Sequence, residues 1–322
     1  MRLTNTELQR LAADTGFAVE PLTKVIRLME MIEAIRSHPF LKSRVALKGG
    51  TALNLFVFDV PRLSVDIDFN YIGATDRETM LADRPKVEQA VRAVCGRLGL
   101  EIKRAPSDHA GGKYRLAYVS SSTRSGTLEL DVNFMLRTPL WPPTISDSKS
   151  IGPCRATRVP VVEQHELAAG KIAALLARNA SRDLFDTREI LKCERFDPVK
   201  LRLAFVVYGG ISRKDWRGVS VEEVTAEPAR VERQLLPILR RGVSPGRDRL
   251  VQWVEQLVIE CRDLLSAVLP LNADEIEFFR RLNERGEIVP ELLTSDDRLK
   301  AIISSHPGLR WKALNVRKYH ST

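Results

Sequence analysis

Two aspartates two positions apart, Asp66 and Asp68, lie in the run Arg62–Phe69. Alternate residues of a strand project to one face, so both carboxylates can face one metal ion. Upstream, Lys48-Gly49-Gly50-Thr51 sits where a strand-like run (Arg44–Lys48) hands over to a helix-like one. Glycines at such a turn let the backbone approach phosphate oxygens, and N–H groups at the start of a helix can receive them. A carboxylate pair for Mg²⁺ or Mn²⁺ beside a phosphate cradle is the equipment for chemistry on a nucleoside triphosphate, with NTP as the substrate.

Further residues extend this set. In Thr127–Phe134, Leu128, Leu130, Val132 and Phe134 alternate with Glu129, Asp131 and Asn133. If that strand pairs beside the one carrying Asp66 and Asp68, Asp131 becomes a third carboxylate. Three acids can hold two cations, Asp131 then serving the attacking hydroxyl as general base, with Glu129 as the substitute. Ser64 lies on the same side of the strand as Asp66; its hydroxyl suits a phosphate or the metal, and equally a strand entry. Arg62 suits phosphate neutralisation or a solvated loop. A second cluster runs from Glu166 to Asp186. Lys171 and Arg178 share a helix face two turns apart, and Lys171 suits a triphosphate as a point charge. Asp183 and Asp186 open the next helix, where a first-turn acid is favourable in its own right.

The elements that must position these residues follow from periodicity. Thr4 and Glu7 form a capping box ahead of a short helix. Val25, Leu28, Met29, Ile32 and Ile35 make one stripe of a helix over Pro21–His38. A strand over 44–48, a helix over 50–58, a strand over 65–71 and a helix over 76–98 follow, then strands over 101–104, 113–120 and 127–134. The Pro- and Ser-rich stretch Thr138–Pro153 marks a boundary. Beyond Val161 the pattern is helical: 164–179, 182–192, 198–208, 228–241, 247–268 and 272–285. The fold class is α+β, with an α/β domain over 1–155 holding a small mixed sheet and N-terminal helices, and a helical domain over 156–322.

Composition is that of a soluble globular chain, 44% hydrophobic and 28% charged in 322 residues. No apolar run approaches a membrane span, and the N-terminus lacks the apolar core of a signal peptide. The four cysteines form no C-x-x-C, which fits reduced thiols in the cytoplasm and argues against a cysteine zinc site. The net charge of +9 suits a polyanion such as RNA. Arg230, Arg233, Arg240, Arg241, Arg247 and Arg249 recur in the helical half, and the tail mixes Arg310, Lys312, Arg317 and Lys318 with Trp311 and Tyr319. Aromatics among cations can stack bases, a role also open to Trp216, although a solvated helix face and a frayed terminus would look the same. His109 and His165 have no partner at metal-ligand spacing and read as structural.

Taken in order, K-G-G-T-A-L, R-L-S-V-D-I-D-F, L-E-L-D-V-N-F, and K-I-A-A-L-L-A-R with R-D-L-F-D resemble the AbiEii/AbiGii-type nucleotidyltransferase toxins, which include the MenT toxins of type IV-like toxin–antitoxin systems. The resemblance covers about residues 20–195. It implies a polymerase-β-like nucleotidyltransferase fold with a helical C-terminal lobe, and NTP and Mg²⁺ as ligands. It also implies transfer of NMP to the 3′ acceptor end of tRNA, blocking translation, and an antitoxin encoded alongside. Matched by motif, Ser64 and Asp66 would be phosphate and metal residues, and Lys171 with Asp183 or Asp186 would complete the active site. The alternative is a nucleotidyltransferase acting on a protein or a small molecule. A non-catalytic nucleotide-binding module fits less well, since Asp66, Asp68 and Asp131 are all intact.

Overall fold

The computed structural model describes residues 3–106, 111–119 and 125–320; His109 lies outside them. The chain forms two compact units. The first holds Met1–Arg137, Pro142–Val162 and Leu236–Ser244, the second Thr138–Trp141, Glu163–Leu235 and Pro245–Thr322.

In the first unit, α1 (Asn5–Thr15) starts at the expected capping box. The Thr4 hydroxyl accepts from the Glu7 backbone N–H at 3.3 Å, and Thr4 N–H donates to the Glu7 carboxylate at 2.7 Å. Helix α2 (Val19–Ser37) buries the stripe Val25, Leu28, Met29, Ile32 and Ile35. The mixed sheet holds the five expected strands and two short ones more: β1 (Val45–Lys48), β2 (Asp66–Tyr71), β3 (Glu101–Arg104), β4 (Gly111–Val119), β5 (Ser125–Asn133), β6 (Thr144–Ser146) and β7 (Val159–Val161). Their order is β3-β4-β5-β2-β1-β7-β6, with β2–β5 and β1–β7 parallel and the other pairs antiparallel. Between β1 and β2 run the single turn α3 (Gly49–Ala52) and a π-type turn over Leu53–Val57; α4 (Arg77–Arg97) follows β2.

The two faces of this sheet differ as the alternation requires. Ile67, Phe69, Tyr114, Leu116, Leu128, Leu130 and Val132 are buried on one face. Helices α2 and α4 pack on this part of the unit, with Arg27 over the Tyr118 ring and Arg84 over the Phe134 ring. Each such apolar side chain contributes about 1.5–3 kcal/mol. A one-residue slip of β2 or β5 would exchange that burial for burial of Asp66, Asp68 and Asp131, so the apolar set fixes where the acids stand.

The helix expected over 228–241 stops short. It ends as α8 (Pro228–Gln234), since Pro237 has no N–H to give a continuing helix. Residues 236–244 belong to the first unit: Leu63 N donates to Ile238 O at 2.8 Å, Arg240 N to Pro61 O at 3.1 Å, and Arg241 N to Gly16 O at 3.0 Å.

The second unit also contains α5 (Gln164–Arg178), α6 (Ser181–Lys192), α7 (Pro198–Ile211), α9 (Leu250–Leu264), α10 (Ala273–Arg285), α11 (Asp297–Ser305) and α12 (Pro307–His320). Trp216, a candidate for stacking on RNA bases, is instead fully buried. It stands edge-on to Phe205 at 4.9 Å between ring centres and stacks on Phe279 at 6.5 Å. The C-terminal segment is a helix, α12, on which Trp311 and Tyr319 are exposed.

Candidate active site

Strand registers bring the first-unit residues together. Lys48 on β1 pairs with Asp68 on β2, and Asp68 pairs in parallel with Asp131 on β5. Asp66 pairs with Glu129 in the same parallel ladder, and Asp131 pairs with Lys113 on β4. Register partners and their i±2 neighbours share a face, so Lys48, Asp66, Asp68, Lys113, Glu129 and Asp131 all stand on the face opposite the apolar core. Burial pushes the Asp68 carboxyl above the usual range; Lys48 opposes this, and the charges of Asp131 and Asp66 add to it. Glu129 is tied to Lys113 Nζ at 2.9 Å, leaving Asp131 as the acid in register with Asp68.

Gly49 shows why the turn carries glycine. Its φ is +74°, and a Cβ there would stand 2.4 Å from Asp68 Oδ2. Both the backbone conformation and the approach of the carboxylate exclude a side chain. The turn is also locked from beneath, because the Thr51 hydroxyl, fully buried, donates to Asp66 O at 2.5 Å. Thr51 thus clamps the turn to β2 and does not present its hydroxyl to a ligand. Ser64 is buried just ahead of β2. Arg62 is not a solvated loop arginine and does not reach outward to a phosphate. It is 1% exposed, its guanidinium donates to Leu63 O at 2.8 Å, and its backbone bridges to Leu239.

The residues present fit a divalent cation in a particular way. Among the described residues no three Asp, Glu, His or Cys side chains are drawn into a cluster ready to hold a metal. Mg²⁺ needs less than that, since it keeps several waters and takes one or two carboxylates together with substrate phosphate oxygens. Asp66 and Asp68 on one face, with Asp131 beside them, supply that number, and the crowding of negative charge is what a cation relieves.

The second unit holds the other sequence cluster. Lys171 Nζ lies 2.9 Å from Asp183 Oδ1 and 3.0 Å from Asp186 Oδ2, both aspartates being buried. Arg178 Nε donates to Asp183 Oδ2 at 2.6 Å. Burial works to raise the Asp183 carboxyl, but Lys171 and Arg178 outweigh it and hold it below the usual range. His165 is structural, as expected: Nδ1 is 2.7 Å from Glu163 Oε1, and Nε2 accepts from Asp197 N at 2.9 Å, so Nδ1 carries the proton. Sequence reasoning missed Glu166. It is buried, accepts from Trp141 N and from Tyr208 Oη, both at 3.2 Å, and is pushed up to about 7 by burial against the pull of those donors. A lone acid in a helical pattern carries no sign of partners that come from elsewhere in the chain.

A mixed sheet with an acid face and a glycine turn pressed against one of the acids is the chain's candidate site for nucleotide chemistry. The profile described as nucleotidyl transferase AbiEii toxin, type IV toxin–antitoxin system, matches residues 31–253. The chain belongs to this family and is a nucleotidyltransferase toxin. Its fold is shared with MenT4, a nucleotidyltransferase toxin from Mycobacterium tuberculosis H37Rv. The two superpose with a TM-score of 0.58 at 18% identity over 96% of this chain and 99% of that one. No curated protein matches the chain. Membership of a toxin–antitoxin family implies an antitoxin partner. No helix among the described residues is long and apolar enough to cross a membrane.

Proposed function

We infer that the protein transfers NMP from an NTP to the 3′ acceptor end of tRNA in a divalent-cation-dependent reaction, and that this blocks translation. The observation that carries the reading is Gly49, held at φ +74° against the Asp68 carboxylate, with Asp131 in register with Asp68 and Asp66 on the same face. Asp66 and Asp68 would hold Mg²⁺ or Mn²⁺, which when bound neutralises triphosphate charge. The Gly49-Gly50 backbone receives phosphate oxygens, with Lys48 beside them. Asp131 would accept the proton of the 3′-hydroxyl as that oxygen bonds to the α-phosphorus and the bond to pyrophosphate breaks in line. Lys171 with Asp183 or Asp186 belongs to the same reaction by motif; within its own unit the lysine is already oriented by both aspartates. The basic charge of the chain suits an RNA acceptor.

The test is incubation of the full chain with Mg²⁺, total tRNA and each α-labelled NTP in turn, resolved on a denaturing gel. The expected result is label on tRNA from one or two NTPs, abolished by Asp66→Ala without loss of folding. Label on protein with tRNA unmarked would replace this reading with transfer to protein.

A further inference from the structure

Two arginines stand on the acid-bearing side of the sheet with no role in the site so far described. Arg115 on β4 is the register partner of Glu129 on β5, and Arg104 on β3 is the register partner of Arg115. The β3–β4 register shifts between Ile102, which faces Leu116, and Arg104, and this irregularity brings Arg104 opposite Arg115, on the face that carries Asp66, Asp68 and Asp131. Both arginines are exposed, and among the described residues neither has an ion-pair or hydrogen-bond partner. Their neighbours are already engaged: Glu129 holds Lys113 at 2.9 Å, and Lys103 holds Glu101 at 2.6 Å. Like charges directly opposite each other across two strands destabilise a sheet. An arginine pair left unneutralised there is a receptor for an anion, and the planar fork of guanidinium suits phosphate oxygens.

The sheet order says which phosphates. The acids of β2 and β5 lie between the glycine turn at the end of β1 and the arginines of β4 and β3. From β1 to β4 is three strand spacings, about 14 Å. In an in-line transfer the leaving pyrophosphate and the attacking hydroxyl lie on opposite sides of the α-phosphorus. If the triphosphate occupies the glycine side, the arginine side is where the acceptor enters. We propose that Arg104 and Arg115 bind backbone phosphates of the single-stranded 3′ end of the acceptor RNA and so set its register against Asp131. This rests on the reading of the protein as an RNA-directed nucleotidyltransferase.

The test uses the full chain and a double variant, Arg104→Gln with Arg115→Gln, alongside Arg104→Lys with Arg115→Lys. Wild-type labelling of tRNA is read first; its absence overturns the underlying reading and this proposal with it. Given labelling, Kd is measured across a salt series for tRNA and for a short single-stranded RNA with a free 3′-hydroxyl, and KM is measured for the NTP. The glutamine pair is expected to raise the RNA Kd about tenfold at moderate salt. It should lower the slope of log K against log salt by about 1.4, the value for two contacts to a single strand. KM for NTP should stay within about twofold, and the lysine pair should recover part of the RNA affinity because charge is kept while the fork is lost. Unchanged RNA affinity and salt slope, or a rise confined to the KM for NTP, would overturn the proposal, the latter by placing the arginines on the triphosphate.

Discussion

Replacing Glu166 by Gln should make the protein more stable at alkaline pH and change little at acid pH. Glu166 is buried with its carboxyl held by Trp141 N and Tyr208 Oη, and burial pushes it up to about 7 from an ordinary value of 4.5. A carboxyl whose folded value is raised binds more protons folded than unfolded. Its contribution to stability is therefore complete below about pH 4.5 and is lost as pH rises through about 7. At 1.36 kcal/mol per pKa unit, linkage predicts that wild type loses about 2.5 kcal/mol from this group between about pH 5 and about pH 8. Gln keeps an acceptor for Trp141 N and can turn its amide N–H to Tyr208 Oη, so it removes the charge without removing the contacts. Urea melts of wild type and Glu166→Gln at a series of pH values isolate the effect, because every other titrating group cancels in the difference. The stability of the variant relative to wild type should climb by about 2.5 kcal/mol across that window. Parallel pH curves for the two proteins would show that Glu166 is already ionised in the folded state, and would refute the argument from burial.

Gly49→Ala should cost about 1–2 kcal/mol of stability for the left-handed backbone and at least a hundredfold in nucleotide transfer, since the methyl must displace the Asp68 carboxylate 2.4 Å away. Thermal melts and labelling rates separate the two, and activity within about threefold of wild type would refute the close approach. Lys171→Ala leaves buried Asp183 and Asp186 short of a cation and should destabilise by about 3 kcal/mol in a denaturant melt; no change would mean the cluster is not a buried ion network. Asp68→Asn should leave folding intact or raise the melting temperature, because it removes a half-buried charge among like charges, while nucleotide transfer is lost. A fall in melting temperature would contradict the unfavourable setting of that charge.

The parts of this molecule that announce themselves in sequence are those where local pattern and tertiary role coincide. The alternation of β5 and the capping box at Thr4 are read from neighbouring residues alone, and so is the pairing of Asp66 with Asp68 on one face. What escaped depends on partners far along the chain. Strands β6 and β7 are three residues each, and β7 contains Pro160, so neither carries a period; β7 is a strand because it pairs with β1. Arg62 has the composition of a surface residue and is buried because 236–244 lies against 61–63. Pro237 was a visible reason to end the helix before it, but the destination of the segment that follows was not written locally. Thr51 ends the glycine motif, yet its hydroxyl is taken by a carbonyl fifteen residues on, a partner the motif itself does not show.

The return of residues 236–244 to the first unit bears on synthesis. These residues hydrogen-bond to Pro61 and Leu63, the stretch that leads directly into the strand bearing Asp66 and Asp68. On the ribosome the acid strand is made early, but its flank is completed only after Ser244 has left the exit tunnel. A nascent chain thus carries its motifs for most of translation without the finished support beneath them. The support beneath the acid strand is therefore assembled late in synthesis, after roughly three quarters of the chain has been made.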